Sequence, residues 1–228
     1  YATFLRKGRP AGPWLTRVIS ETAPTAAPGA QTPLRVGLHI HAYYPEEVGD
    51  IARRLALSAA KPDLYLSVTD DAGAETVRRK LSSYAGKIGA VRVVPNAGRD
   101  IGPFLTEFGK ELVANYDIVG HLHTKKSAAL ANPEFTARWT SFLYENLIGG
   151  DRGGQMIDRI LAAFAADDQL GLVFAEDPHI MSWSRNESVA RDLAKRLNVA
   201  DLPTSFNFPI GTMFWMRTPR IPTQEPTG

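Results

Sequence analysis

From Leu34 onward, short apolar runs alternate with stretches whose apolar residues recur at helical spacing, and this limits the fold more than any other feature. Residues 34–41 (LRVGLHIH) read as a strand. Pro45 then opens a helix over 46–59, with Val48, Ile51, Leu55 and Ala59 on one face. Residues 63–69 form a second strand, and a helix runs from the Asp70-Asp71-Ala72-Gly73 turn to about Tyr84. A third strand over 91–94 leads to a helix over 101–114, for which Asp100 is the expected N-cap. A fourth strand spans 117–123. Four strands separated by helices imply an α/β fold, a mostly parallel central sheet flanked by helices on both faces. The second half is less regular, with helices expected over 133–148, 155–166 and 187–197 and strands over 170–174 and 212–216.

The 228 residues, 44% of them hydrophobic, suffice for one sizeable core. Residues 1–33 read as an N-terminal extension and a Pro/Ala-rich linker, and 34–228 as the α/β domain. Net charge is +2, with no basic tract, so no nucleic-acid partner is expected. The absence of cysteine excludes disulfides and thiolate metal sites and fits a cytoplasmic location. No apolar run reaches the length of about 18 residues that spans a bilayer, so membrane association is expected to be peripheral at most. The basic N-terminus lacks the apolar run of a signal peptide. The chain opens on Tyr1 rather than Met and is expected to be a fragment or a processed product.

In an open α/β sheet, ligands bind beyond the carboxyl ends of the strands. The chain has five histidines, and four of them fall in two His-x-His pairs at strand ends: His39 with His41, and His121 with His123. Residues i and i+2 of a strand share a face, so each pair presents two imidazoles side by side. Imidazoles bind metals, hydrogen-bond phosphate or move protons; single strand-end histidines more often only make hydrogen bonds at the core margin. At the third strand end, Asn96 and Gly98 allow a tight turn, and Arg99 offers a fork for phosphate oxygens beside a helix N-terminus. Lys125 and Lys126 follow the fourth strand directly and can balance a diphosphate. Glu176 and Asp177, after the 170–174 strand, are candidates for a general base.

The stretches HIHAYYPE, DLYLSVT, VVPNAGRDIGPFL, HLHTKKS, LGLVFAEDPH and FPIGTMFWMR, in that order, resemble the rhamnan synthesis protein F family across residues 34–217. The resemblance implies a GT-A-like glycosyltransferase of surface polysaccharide and O-antigen assembly. Its donor would be a nucleotide sugar such as dTDP-rhamnose, and its acceptor a growing, lipid-linked glycan. In such enzymes the fourth strand ends in Asp-x-Asp, which holds a divalent metal on the diphosphate; His121-Leu122-His123 stands there instead. The pair would hold a transition metal, or the site is metal-free and Arg99, Lys125 and Lys126 carry the phosphate charge. By the same analogy Thr69 and Asp70 lie near the nucleotide, Asp100 meets the donor sugar, and His39, His41, Tyr43 and Trp215 face the acceptor. Similar sequences continue beyond MFW-x-R into a segment that this sequence, ending at Gly228, lacks. Two alternatives stand beside sugar transfer: a non-catalytic glycan- or nucleotide-binding module, and a His-dependent metal hydrolase.

Overall fold

The alternation of apolar runs and helical periods becomes strand and helix in the expected order in the computed structural model, which describes residues 18–20, 23, 34–124, 133–176, 183, 186–199, 202–204 and 208–219. Strand β1 (Val36–His41) and strand β2 (Asp63–Val68) are buried at every position after the first, as strands covered on both faces must be. Between them, Pro45 starts a 3-10 turn (Pro45–Glu47) that runs into α1 (Val48–Ala56). Asp70 caps α2 (Asp71–Lys80), its side chain accepting the Gly73 N–H at 2.7 Å. Arg78, Arg79 and Lys80 in the last turn suit the negative end of the helix dipole. Strand β3 (Ile88–Val93) starts three residues earlier than the apolar run alone indicates.

The helix after Asp100 departs from expectation. It begins as α-helix (Ile101–Pro103), widens to π-helix (Phe104–Phe108), then resumes (Gly109–Asn115); together these make α3. Asp100 itself has helical backbone and its side chain caps nothing. The expected N-cap is therefore corrected: the carboxylate points into tertiary contacts instead. Strand β4 (Ile118–His123), α4 (Pro133–Leu147), α5 (Met156–Ala166), β5 (Leu172–Phe174), α6 (Glu187–Arg196) and β6 (Phe214–Arg217) complete the described elements.

The six strands lie in the order β3-β2-β1-β4-β6-β5. The first four are mutually parallel, and β6 runs antiparallel to both β4 and β5. One face is covered by α1, α2, α4 and α5, whose Ile51, Leu55, Val77, Leu143, Leu147, Ile157 and Ile160 meet Leu38, Ile40, Leu66 and Leu122. The other face is covered by α3, through Phe104, Phe108 and Leu112 with Tyr65, Tyr116 and Val119. Trp215 lies wholly within the first core, its indole N–H bonded to Leu147 O at 2.9 Å. Gly120 makes room for it, since a Cβ there would stand 2.6 Å from the indole. A partly buried ion cluster ties α1 to α4. The Arg54 guanidinium binds Asp50 at 2.7 Å, Glu145 at 2.7 Å and Gly149 O at 2.9 Å. Among the described residues no helix is long and apolar enough to cross a membrane.

Candidate functional site

The strand order reverses between β1 and β4: from β1 the chain steps outward to β2 and β3, then returns to β4 on the other side. Such a switch point opens a crevice at the carboxyl ends of its two strands. Both His-x-His pairs stand there. The parallel register sets His39 beside His121 and His41 beside His123, so four imidazoles share the α3 face of the sheet in a two-by-two array. His39 Nδ1 lies 2.9 Å from His121 Nδ1, and the two ring planes are 12° apart. His39 Nε2 and His41 Nδ1 both meet the hydroxyl of Ser67 on β2, at 3.0 and 2.8 Å. His123 Nε2 donates to Gly211 O at 2.7 Å. The π-turn of α3 seats Phe104 and Phe108 over the array, with Phe104 4.8 Å from His121 and Phe108 5.0 Å from His39, centroid to centroid.

Asp100 closes the array from the loop after β3. Its Oδ2 stands 3.6 Å from His121 Nε2 and 4.0 Å from His123 Nε2, and accepts a hydrogen bond from the Thr212 hydroxyl. Two non-glycine residues with left-handed backbone flank this contact, Arg99 (φ 56°) and Thr212 (φ 56°). Such strain costs on the order of 1–3 kcal/mol and persists only where surroundings enforce it. Gly98 (φ 73°) completes the turn, and a Cβ there would come within 2.9 Å of Gly102 Cα. Arg99 is exposed and makes no hydrogen bond or ion pair among the described residues.

Electrostatics follow from burial. His39 and His121 are fully buried. Burial pushes His39 well below the ordinary imidazole range, and neighbouring His121 and His41 add to it. Burial lowers His121 as well, against the opposing pull of Asp100. For Asp100, burial alone would raise the carboxyl, but the contacts with His121, His123 and Thr212 outweigh it and hold the group below the usual carboxylate range. The site thus sets an ionised Asp100 carboxylate against a neutral, buried His121 imidazole.

The remaining expected residues divide. Tyr43 is half-buried beside His41, with ring centroids 6.4 Å apart. Asn96 and Gly98 are exposed in the Arg99 loop. Thr69 is half-buried at the end of β2, and the Asp70 carboxylate is engaged as the cap of α2. Glu176 follows β5 at the same sheet edge, two strands beyond β4. Two acceptor-side expectations are corrected. His39 is sealed inside the array, and Trp215 packs the opposite core with no exposed surface. Lys125, Lys126 and Asp177 lie outside the described residues. Sequence reading missed Ser67, Thr212, Phe104 and Phe108; a lone strand serine and a helical Phe pair carry no local signal, although the rare π-turn is common at functional sites.

Among the described residues no three His, Asp or Glu side chains are disposed to hold a metal ion. His123 Nε2 must carry its proton to donate to Gly211 O, and the Nδ1 of His121 is engaged with His39. A separate cavity of about 650 Å³ opens at the amino ends of the strands, lined by Arg35, Lys61, Asp63, Lys87 and Tyr116. Its charges are already satisfied: Arg35 by Asp117 at 3.0 Å, Lys87 by Asp63 at 3.7 Å, and Lys61 by Leu55 O at 3.0 Å. Topology and unsatisfied chemistry both favour the opposite end.

Comparison with known proteins agrees with the motifs. Two curated relatives, each called uncharacterized protein WxcX, come from two strains of Xanthomonas campestris pv. campestris. Each is 29% identical over 182 residues, covering 78% of this chain and 25% of theirs. The chain thus spans about a quarter of the length of these relatives. No solved structure matches. The profile of the family described as rhamnan synthesis protein F matches residues 8–222, nearly the whole sequence, and the chain therefore belongs to the rhamnan synthesis protein F family.

Proposed function

We propose that this chain is a GT-A-like glycosyltransferase domain that moves a sugar, rhamnose from a dTDP donor, onto a growing polysaccharide. Membership of a rhamnan synthesis family supports the polysaccharide setting. The observation that carries the reading is the placement of Arg99, Asp100, His121 and His123 together at the β1–β4 switch point. In sugar transfer an acceptor hydroxyl attacks the anomeric carbon. The bond to the diphosphate breaks and negative charge collects on the leaving oxygens. Arg99, exposed beside the start of α3, offers a planar fork to those oxygens. Charge placed where it develops in the transition state lowers the barrier most. Lys125 and Lys126, which follow β4 directly in sequence, are proposed to share this role. The ionised Asp100 is suited to accept hydrogen bonds from donor-sugar hydroxyls. Since no three described His, Asp or Glu side chains are disposed to hold a metal, we infer that cationic side chains meet the phosphate charge.

Turnover of a panel of sugar nucleotides, with and without a rhamnose-bearing acceptor, tests the reading. Glycosylated acceptor together with free nucleoside diphosphate is the expected result. Free sugar regardless of acceptor would indicate a hydrolase, and binding without turnover would indicate a recognition module; either overturns the proposal.

A further inference from the structure

The loop that carries Arg99 has little to hold it. Residues 95–99 are all exposed. Ala97 N–H bonds Pro95 O at 2.7 Å and Gly102 N–H bonds Gly98 O at 2.8 Å, contacts that shape the turn without tying it to the sheet. The buried member is Asp100, 8% exposed. His121 and His123 stand 3.6 and 4.0 Å from its carboxylate, beyond the reach of a hydrogen bond. The Thr212 hydroxyl does reach it, and among the described residues this is the hydrogen bond that fastens 95–100 to another element. Gly211 O also lies 2.7 Å from that hydroxyl, but one hydrogen goes to the stronger acceptor, the ionised carboxylate. The 210–212 turn is a firm post for the contact. His123 bonds Gly211 O at 2.7 Å, Ile210 and Met213 are buried on either side, and a Cβ at Gly211 would come within 2.9 Å of Leu143.

We propose that Thr212 is a positioning residue for the donor diphosphate: its hydroxyl pins Asp100, and so keeps Arg99 in the left-handed turn that leaves the guanidinium open to the crevice. Arg99 directly precedes Asp100, and the turn that seats one residue inward presents the other outward. Its φ of 56° is a conformation that an arginine leaves unless its surroundings enforce it. Thr212 reaches the loop from the far side of the switch point, just ahead of β6, which pairs with β4. It touches Asp100, and its effect on the phosphates passes through Arg99. Without the hydroxyl, Arg99 relaxes to negative φ and fewer molecules present the fork at any moment. Apparent affinity then falls with the fraction that still does. The role in donor binding rests on the sugar-transfer reading, but the fastening of the loop does not.

Calorimetric titration of the 228-residue chain with dTDP, UDP and GDP in turn reads the effect. Thr212→Val keeps the shape and branching but removes the hydroxyl. It should weaken binding about tenfold, the low end for a hydrogen bond to a charged group, while Thr212→Ser, which keeps the hydroxyl, should stay within about twofold of wild type. In an Arg99→Ala background Thr212→Val should change affinity by less than about twofold, because the group it positions is gone. A merely structural loss would persist there. Equal affinity in Thr212→Val and wild type, no rescue by Thr212→Ser, or an undiminished loss in the Arg99→Ala background would overturn the proposal. Backbone NMR of Arg99 without nucleotide reads the fastening by itself. Its φ should be positive in wild type and Thr212→Ser and negative in Thr212→Val; a positive φ in Thr212→Val would also overturn the proposal. Release of Arg99 in Thr212→Val, in a chain whose wild type binds none of the three diphosphates, would uphold the fastening and sink the donor-site reading.

Discussion

Lowering the pH from 7.5 to 5.0 tests the histidine array with no knowledge of substrate. His39 and His121 are sealed between the sheet and α3. The groups facing them are His41, His123, Ser67, Phe104, Phe108 and Phe214, with the Asp100 carboxylate at the edge. Burial lowers both imidazoles in the native state, while the unfolded chain protonates them near the ordinary value of about 6.5. Below that pH the unfolded state binds more protons than the native state, so stability rises with pH and falls on acidification. Each histidine that stays neutral in the native state contributes a slope of up to about 1.4 kcal/mol per pH unit. Two give up to about 4 kcal/mol between pH 6.5 and 5.0, a large share of the roughly 5–15 kcal/mol of a typical domain. Asp100, lowered in the native state, adds a further loss only below about pH 4, where the unfolded carboxyl takes up its proton. Urea denaturation at constant ionic strength, with a constant m-value, measures the slope. His39→Asn and His121→Asn should each remove about half of it. A flat profile from pH 7.5 to 5.0, or an unchanged slope in the double variant, would refute the claim that the array is buried and neutral.

Other consequences follow from single contacts. Arg54→Met leaves the largely buried Glu145 carboxylate without its cation, while Asp50 keeps Arg53, and should cost about 3 kcal/mol in chemical denaturation; a loss under about 1 kcal/mol would place the pair in solvent. Trp215→Ala should cost about 3–5 kcal/mol by leaving a cavity over Gly120, and no loss would contradict the burial of that indole. Arg99→Gly relieves a left-handed arginine, so stability should hold or rise by up to about 1 kcal/mol while nucleoside diphosphate affinity falls at least tenfold by calorimetry. Unchanged affinity would remove Arg99 from the donor site.

How much of this was legible beforehand depends on range. Alternating apolar runs placed β1, β2 and β4 within two residues, because buried parallel strands are near-continuous apolar segments. The i, i+2 rule paired the histidines within each strand. It could not pair His39 with His121, because register between strands is a tertiary property set by packing and turns. Asp100 shows local reasoning failing in an instructive way. An Asp before a helix is a good cap, yet here three partners from β4 and the 210–212 turn hold the carboxylate more strongly than the backbone N–H groups would. Trp215 failed for the opposite reason: an aromatic strand at a sheet centre and an aromatic sugar platform look alike until the neighbouring Gly120 is known to receive the ring. The π-turn of α3 has no period of its own in sequence, since Phe104 and Phe108 fit an ordinary helix equally well.

The placement of the diphosphate decides the account. A crystal structure of the chain with a nucleoside diphosphate should show the phosphates beside the Arg99 guanidinium, at the carboxyl ends of β1 and β4, within reach of the Asp100–Thr212 contact. Phosphates bound instead in the cavity between Arg35, Lys61 and Lys87, at the far end of the same strands, would contradict it.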